Sequence, residues 1–536
     1  MTAPPAPGIV PASTRVMNLA HFLTEQARRR PDAPGFVWGE RVWSWTEIEA
    51  RAAAFAEALR TDYGLGKGDR LLVQSANCNQ LFESMFACWR IGVVWVPANF
   101  RQTPAEVAGL AESAGARGFL HGAEFAAHAE AVARHVDFAI PIGPEAGAGA
   151  DYDALVARHM GARAPAVAVG RDDPAWFFFT SGTTGRPKAA VLTHGQMGFV
   201  ITNHLSDLMP GVGPDFGPGD ASIIVAPLSH GAGIHQLAQV ARGVPSILPA
   251  AARFDPAEVW ALVERWRVTN AFTVPTILKL LVEHPSARLH DHSSLRHVIY
   301  AGAPMYRADQ LRALEVLGPV IVQYFGLGEV TGNITVLPAG QHFADDRMRL
   351  GSCGFARTGM EVQIQDEAGR ALGPMETGEI CVIGPAVFAG YFNNPEANAK
   401  AFRDGWFRTG DLGHMDAEGY VYITGRASDM YISGGSNIYP REIEEQILLN
   451  PAVAEAAVLG VPDATWGEVG LAVCVPAPGA RLDAEGLLGW LEGRVARYKR
   501  PRHVVFWEAM PKSAYGKITK KMIREELVRR GEMPDP

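Results

Sequence analysis

At 536 residues the chain is too long for one ordinary hydrophobic core, so two to four domains are expected. Hydrophobic residues make up 48% and charged residues 20%, the balance of a globular protein rather than a fibrous or disordered one. A net charge of −8 with no Lys/Arg block excludes an electrostatic nucleic-acid binder, and no apolar run approaches the roughly 18 residues of a membrane span. The five cysteines, at 78, 88, 353, 381 and 474, are odd in number and scattered. They form no disulfide framework, which points to a reducing, cytoplasmic setting. The N-terminus lacks the basic and apolar regions of a signal peptide.

The first 15 residues, with four prolines, read as a mobile lead-in. From 19 to about 169, helical patterns such as 45–59 alternate with short apolar runs such as 71–74 and 93–96. That alternation predicts a layered α/β sheet, read mainly as scaffold. From 174 to 340 an apolar strand followed by a Gly/Pro/polar loop recurs at 176–180, 223–230, 298–304 and 320–329. Ligands in open α/β sheets collect beyond the carboxyl ends of strands, so four such loops point to one site. Residues 350–425 carry short alternating strands (362–364, 379–383, 420–423) and predict a β-rich subdomain. A linker is expected at 425–429. After it comes a small α+β unit with helices at 441–449 and 484–497 and strands at 456–459 and 504–507.

Residues 180–188 read Thr-Ser-Gly-Thr-Thr-Gly-Arg-Pro-Lys after the run Trp-Phe-Phe-Phe. A buried strand ending in such a loop suits a phosphate. Glycine lets backbone N–H groups approach closely, hydroxyls add donors, and Lys188 adds charge. The spacing differs from a Walker A loop, because two residues separate Gly182 from Gly185 and two more precede Lys188.

The stretch resembles the phosphate loop of the adenylate-forming (AMP-binding) superfamily, in its acyl-CoA synthetase and aryl-CoA ligase branch, and the likeness extends over nearly the whole chain. It implies a large N-terminal lobe, residues 1–427, built of two layered α/β sheet subdomains and a β-rich subdomain. A small mobile α+β C-terminal domain, residues 428–536, would follow. The implied reaction joins a carboxylate to CoA through an acyl-adenylate, with ATP, Mg²⁺ and coenzyme A. By this resemblance Thr180, Ser181, Gly182, Thr183, Thr184, Gly185 and Lys188 would hold the phosphates. Residues 323–329, Gln-Tyr-Phe-Gly-Leu-Gly-Glu, resemble a motif that usually reads Tyr-Gly-x-Thr-Glu. Glu329 would bind Mg²⁺ and Phe325 would lie against adenine, beside Tyr324 and Gly326. Gly328 stands where threonine is usual, and a missing hydroxyl donor weakens a contact by roughly 1–3 kcal/mol unless another group substitutes.

Residues 300–304 resemble the adenine-side loop, with Gly302, Ala303 and Pro304 reading the base edge. In the motif at 406–413, Asp411 would accept hydrogen bonds from both ribose hydroxyls, with Arg426 at the ribose or phosphate. Lys517, in Pro-Lys-Ser-Ala-Tyr-Gly-Lys-Ile, matches the lysine that reaches the carboxylate and α-phosphate during adenylation. The small domain would then rotate at Ser428, or one residue later at Asp429, so that CoA can attack. Gly434 and Gly435 would line the pantetheine tunnel, and Trp466, Tyr498, Arg500 and Arg502 would cradle the adenosine end of CoA.

His230, in Pro-Leu-Ser-His, matches the aromatic gate of the carboxylate site; His194 and His235 read as structural. Ile234, Ala301, Tyr324, Val330, Thr331 and Ile334, with Gly326, would line the acyl cavity around His230. That set holds no Lys or Arg to pair a second carboxylate, which favours an aromatic or medium-chain monocarboxylate. The partners expected are therefore a small carboxylic acid, ATP and CoA, with no nucleic acid and no transmembrane segment; a homodimer is left open. Competing readings are a stand-alone adenylation enzyme loading a carrier protein, a luciferase-like oxygenase, and a degenerate nucleotide-binding regulator. The last would cite Gly328 and Ser428. Retention of Lys188, Glu329, Asp411, Arg426 and Lys517 argues against it.

Overall fold

The computed structural model describes residues 15–143, 151–162, 165–180, 187–211, 219–251, 253–303, 305–342, 349, 351–426, 428–433, 436–512 and 518–534. They form two compact units. One comprises residues 1–272 with 328–331 and 385–398; the other comprises 273–327, 332–384 and 399–536.

The first unit contains a six-stranded sheet in the order Lys188–Thr193, Pro174–Thr180, Val94–Pro97, Arg70–Gln74, Gly118–Gly122, Phe138–Ile142. The inner strands run parallel, and Lys188–Thr193 closes one edge antiparallel. A second run of parallel strands, Ser222–Ile224, Ser246–Leu248 and Pro34–Trp38, ends in the antiparallel Arg41–Ser44. Each parallel step needs a crossover, and the helices that supply them are capped by sequence. Ser44 accepts from the Glu47 N–H while the Glu47 carboxylate accepts from the Ser44 N–H, starting helix Trp45–Thr61. Thr193 and Gln196 repeat the device at His194–Asp207. Pro174–Thr180 alternates faces. Phe177 and Phe179 pack with Val94, Val96 and Phe119 in one core, leaving Trp176, Phe178 and Thr180 on the other side.

In the second unit His297–Tyr300 and Ile321–Phe325 pair in parallel. The sheet then continues antiparallel through Thr335–Leu337, Ser352–Ala356, Val421–Arg426, Trp406–Met415, Gly378–Ile383 and Glu361–Gln365. This is the β-rich region expected at 350–425. The C-terminal part builds its own five-stranded sheet around the long hairpin Val453–Asp463 and Gly467–Pro476, with an apolar cluster on each face. The α/β architecture with a separate α+β C-terminal part is thus the one expected from sequence.

Three expectations need correction. Arg15 is not lead-in, because Arg15–Val16 pairs antiparallel with Val169–Gly170. The helix expected over 484–497 stops at Trp490, and Gly493 at φ +75° lies in the turn that follows. Of the expected linker, Gly425 and Arg426 belong to strand Val421–Arg426, where Arg426 faces Asp411. The strand-then-loop pattern at 223–230 is present as expected, with strand over Ser222–Ile224 and a loop through Pro227 that leads to helix Gly231–Arg242. Among the described residues, no helix is long and apolar enough to cross a membrane.

Two buried histidines give the fold an acid sensitivity. His194, 1% exposed, accepts the Leu19 N–H at its Nδ1 (3.4 Å), and His342 sits between the Pro338 carbonyl and the Tyr300 hydroxyl. Burial pushes both imidazoles down to about 4. The unfolded chain, with histidines near 6.5, therefore binds more protons between pH 6.5 and 4. The stability contribution is full above that window and lost as pH falls through it, on the order of 3 kcal/mol per histidine at most. The melting temperature is expected to fall from pH 7 to pH 5, and to fall less in His194→Asn, which keeps an acceptor for Leu19 but has no proton to gain. Equal falls would contradict this.

Candidate active site

The phosphate-loop motif is a hairpin end. Pro174–Thr180 and Lys188–Thr193 pair so that Thr180 lies opposite Lys188, and the loop between them leaves the end of a sheet strand. Ser181, Gly182, Thr183, Thr184 and Gly185 lie outside the described residues; the two ends of the loop lie inside. The Thr180 hydroxyl donates to Glu329 Oε1 (3.1 Å), which also accepts from the Tyr391 hydroxyl (2.8 Å). Lys188 Nζ stands 4.5 Å from the centre of the Tyr391 ring, a cation–π contact. Four side chains from three separate stretches of chain thus meet in one cluster.

The segment carrying Tyr391 is held by backbone. Phe392 N–H donates to Ala189, Ala389 N–H to Val191 and Val191 N–H to Gly390, while Phe388 N–H donates to the carbonyl of Glu329. Gln196 adds a bond to the Ala386 carbonyl (2.7 Å). Glu329 is 4% exposed, and burial followed by the Glu329 charge pushes the Tyr391 phenol far above its usual range, fixing it as a donor. The donors here, a carboxylate and a hydroxyl, are hard oxygens suited to Mg²⁺, which needs only one or two carboxylates when nucleotide phosphates complete its shell. Tyr391→Phe would remove one bond to an ionised partner, worth about 1.5–3 kcal/mol. Its KM for Mg·ATP is expected to rise roughly tenfold or more with the KM for acid unchanged; steady-state kinetics with each substrate varied in turn checks this.

His230 is the N-cap residue of helix Gly231–Arg242, and its Nδ1 lies 2.9 Å from the Ser229 hydroxyl. Its ring meets Phe178 edge to face, with centroids 5.2 Å apart. Ile234, Val330 and Thr331 are buried in the same unit, Thr331 with φ +51°, a conformation that favours glycine. His235 is fully buried and bonded to His204, Asn270 and Ser222, in keeping with a structural part.

In the second unit Ala301, Tyr324 and Ile334 are buried, Phe325 is half-buried, and Gly302 takes φ +83° in the turn after strand His297–Tyr300. Ala303 is half-buried and Pro304 lies outside the described residues. Gly326 has a strict reason to be glycine: a Cβ there would stand 2.5 Å from the Gly332 Cα. Sequence reasoning missed Arg357, 1% exposed, whose guanidinium donates to the Gly332 carbonyl (3.4 Å) and lies 5.9 Å from the Tyr324 ring centre. It also missed Tyr391 and Gln196. Asp411 and Arg426 are cross-strand partners, joined by Arg426 Nε donating to Asp411 Oδ1 at 3.0 Å. Asp411 is 5% exposed, whereas the Arg426 side chain is 57% exposed, so the pair offers a buried carboxylate with an exposed cation bonded to it.

Of the CoA candidates, Trp466 and Arg502 come together. The guanidinium lies 5.4 Å from the indole centre and 3.7 Å from Asp463, whose carboxylate accepts the Thr465 and Trp466 N–H groups. Trp466 is 45% exposed and Tyr498 57%, open faces large enough to stack on a base. Arg500 instead pairs with Glu492 at 3.5 Å. Ser428 is exposed and donates to Asp429 (3.2 Å), in a turn where Asp429 and Met430 N–H groups both bond the Arg426 carbonyl. Gly434, Gly435 and Lys517 lie outside the described residues.

With this geometry in place, comparison with known proteins is specific. Residues 23–392 match the model of the AMP-binding enzyme family, and 442–517 match that of the AMP-binding enzyme C-terminal domain. Feruloyl-CoA synthase from an Amycolatopsis species is 37% identical over 515 residues, covering 96% of this chain and all of the relative. Indoleacetate–CoA ligase from Aromatoleum aromaticum is 33% identical over 518 residues, covering 96% and 99%. Among solved structures, o-succinylbenzoate CoA synthetase from Bacillus subtilis with its acyl-adenylate intermediate superposes with a TM-score of 0.83. It is 28% identical, over 96% of this chain and 99% of that one.

Proposed function

The chain belongs to the AMP-binding enzyme family and is an AMP-forming acyl-CoA synthetase, and from that premise we propose that its acid is an aromatic monocarboxylate. In the first half-reaction a carboxylate oxygen attacks the α-phosphorus of ATP, the bond to the β-phosphate breaks, and pyrophosphate leaves. In the second the CoA thiol loses its proton to solvent and attacks the acyl carbon, the C–O bond to AMP breaks, and AMP leaves. Direct attack on a carboxylate would have to expel oxide; adenylation supplies the leaving group.

The observation that carries the assignment of residues is the Lys188–Tyr391–Glu329–Thr180 cluster at the mouth of the phosphate loop. Lys188 offsets phosphate charge, Thr180 and Ser181–Gly185 of the loop donate to phosphate oxygens, and Glu329 holds Mg²⁺. When bound, that ion neutralises the triphosphate and favours departure of pyrophosphate. Asp411 takes the ribose hydroxyls and Arg426 the adjacent phosphate; Phe325 and the turn at Gly302, Ala303 and Pro304 take adenine. Lys517 meets the carboxylate and α-phosphate, and His230 gates the acid. For the second half-reaction the boundary between 427 and 428 is the functional domain division, with Ser428 as pivot. Gly434 and Gly435 give pantetheine passage, and Trp466, Tyr498, Arg500 and Arg502 receive the phosphorylated adenosine. The open Trp466–Arg502 corner supports CoA over a carrier protein as acceptor. No Lys or Arg stands in the acyl set read from sequence, and the guanidinium of Arg357 beside Tyr324 already donates to the Gly332 carbonyl, which supports one carboxylate; the aryl acids of the two relatives support an aromatic one. Five free, buried cysteines support a cytoplasmic location.

The test is pyrophosphate release with ATP and Mg²⁺ across hydroxycinnamic, arylacetic, benzoic and C6–C12 aliphatic acids, each with and without CoA. Release confined to aryl acids, with acyl-CoA formed in step, is expected. Preference for aliphatic acids would overturn the acid assignment. Release without acyl-CoA would overturn the acceptor.

A further inference from the structure

We propose that Phe178 is a positioning residue that sets both the Glu329 loop and the His230 ring, by filling the space that any side chain at position 328 would need. The inference rests on the adenylation roles given to Glu329 and His230. On strand Pro174–Thr180 the alternation of faces puts Trp176, Phe178 and Thr180 on one side. Their partners follow in order. Trp176 lies edge-on to Trp95 (4.6 Å) and 6.1 Å from Phe178, Phe178 meets His230 at 5.2 Å, and Thr180 donates to Glu329. One strand face therefore runs from the core to the acid gate and then to the metal carboxylate.

Gly328 sits directly against this face. A Cβ at 328 would stand 2.5 and 2.6 Å from Cδ1 and Cε1 of Phe178 and 3.2 Å from the Thr180 methyl. The ring cannot yield freely, because it is packed between Trp176 and His230 and anchored on an inner strand of a sheet. Gly328 takes no positive φ, so backbone strain does not demand glycine here; the strand face does, the Phe178 ring most closely and the Thr180 methyl behind it. The two positions have exchanged bulk: an aromatic ring at 178 and no side chain at 328. Gly328 begins the single turn Gly328–Val330 that presents Glu329, so pressure on 328 is passed to the carboxylate one residue on. Loss of the ring would free His230 on its other flank. This explains the absence of a hydroxyl at 328: threonine and Phe178 cannot occupy the same volume.

The experiment is a double-mutant cycle of Phe178→Ala, Gly328→Ala and both together. It is read in acid-dependent pyrophosphate release, in Mg·ATP binding by titration calorimetry, and in melting temperature. Gly328→Ala is expected to lower kcat/KM about 100-fold by displacing the Glu329 loop, as small misplacements in positioned sites do. Phe178→Ala is expected to raise the KM for acid roughly tenfold with kcat changed less than about threefold, a split that loss of fold would not produce. The double variant is expected to recover at least about tenfold over Gly328→Ala alone, because the removed ring makes room for the methyl. Where Phe178→Ala melts early, Phe178→Leu replaces it, with the same KM shift expected. Effects that multiply independently, or a Gly328→Ala enzyme with unchanged kinetics, would overturn the proposal. If the unmodified protein released no pyrophosphate with any acid, the adenylation reading would fall. The cycle would then be judged on Mg·ATP binding alone, where coupling sustains the packing inference and independence ends it.

Discussion

Lys517→Ala is expected to lower acid-dependent pyrophosphate release by at least about 10³-fold while leaving thiolation of a supplied acyl-adenylate within about threefold. The first transition state spreads negative charge over the α-phosphate and the incoming carboxylate oxygen, where a fixed ammonium acts most strongly. The second develops at the acyl carbon, after pyrophosphate has gone. The chain on either side of Lys517 is pinned to the C-terminal part. Lys512 pairs with Glu455 (2.7 Å), and Thr519 caps helix Lys520–Arg530, whose first residue pairs with the buried Glu444. Glu444 in turn accepts the Val458 N–H (2.7 Å), so the anchor reaches the central hairpin of that sheet. Rapid-quench measurement of each half-reaction checks the prediction; equal loss in both would contradict the use of two domain positions.

Glu329→Gln is expected to lower kcat/KM for pyrophosphate release by about 10²–10³-fold and to move half-saturation by Mg²⁺ upward at least about tenfold. The amide preserves shape and can still accept from Thr180 and Tyr391 through its oxygen, so the melting temperature is expected to stay close to that of the unmodified protein. What is lost is the charge, in a place where 4% exposure leaves little water to substitute for it. A Mg²⁺ titration at fixed ATP separates the two effects. Unchanged Mg²⁺ dependence would remove Glu329 from the metal and leave it as a loop anchor.

Much of this arrangement was legible in the sequence because the site is written in strand ends. The run Trp-Phe-Phe-Phe before Thr180 announces a strand, and Gly/Thr spacing announces the loop that leaves it. Asp411 and Arg426 were each picked out by local motifs, and the strand register makes them neighbours. Tyr391 was invisible for the opposite reason. Its partner Glu329 lies 62 positions away, and its own surroundings, Gly-Tyr-Phe-Asn-Asn-Pro, read as an ordinary turn. Phe178 looked like one of four equivalent core aromatics. Only the alternation of faces distinguishes it from Phe177 and Phe179, and only the fold brings Gly328 against it. The helix expected over 484–497 failed because apolar spacing continues past the point where Gly493 turns the backbone. Strand Trp406–Met415 was not singled out because glycine and charge interrupt its alternation, and among them is Asp411, the residue proposed to take the ribose.

The central claim is that the carboxylate oxygen itself bonds to the α-phosphorus of ATP. An acid labelled with ¹⁸O in both carboxylate oxygens, turned over with unlabelled ATP, Mg²⁺ and CoA, tests it by mass spectrometry of the products. One ¹⁸O per turnover in AMP and one in the acyl-CoA is the result this account predicts. Label in inorganic phosphate or pyrophosphate, or AMP free of label, would contradict it.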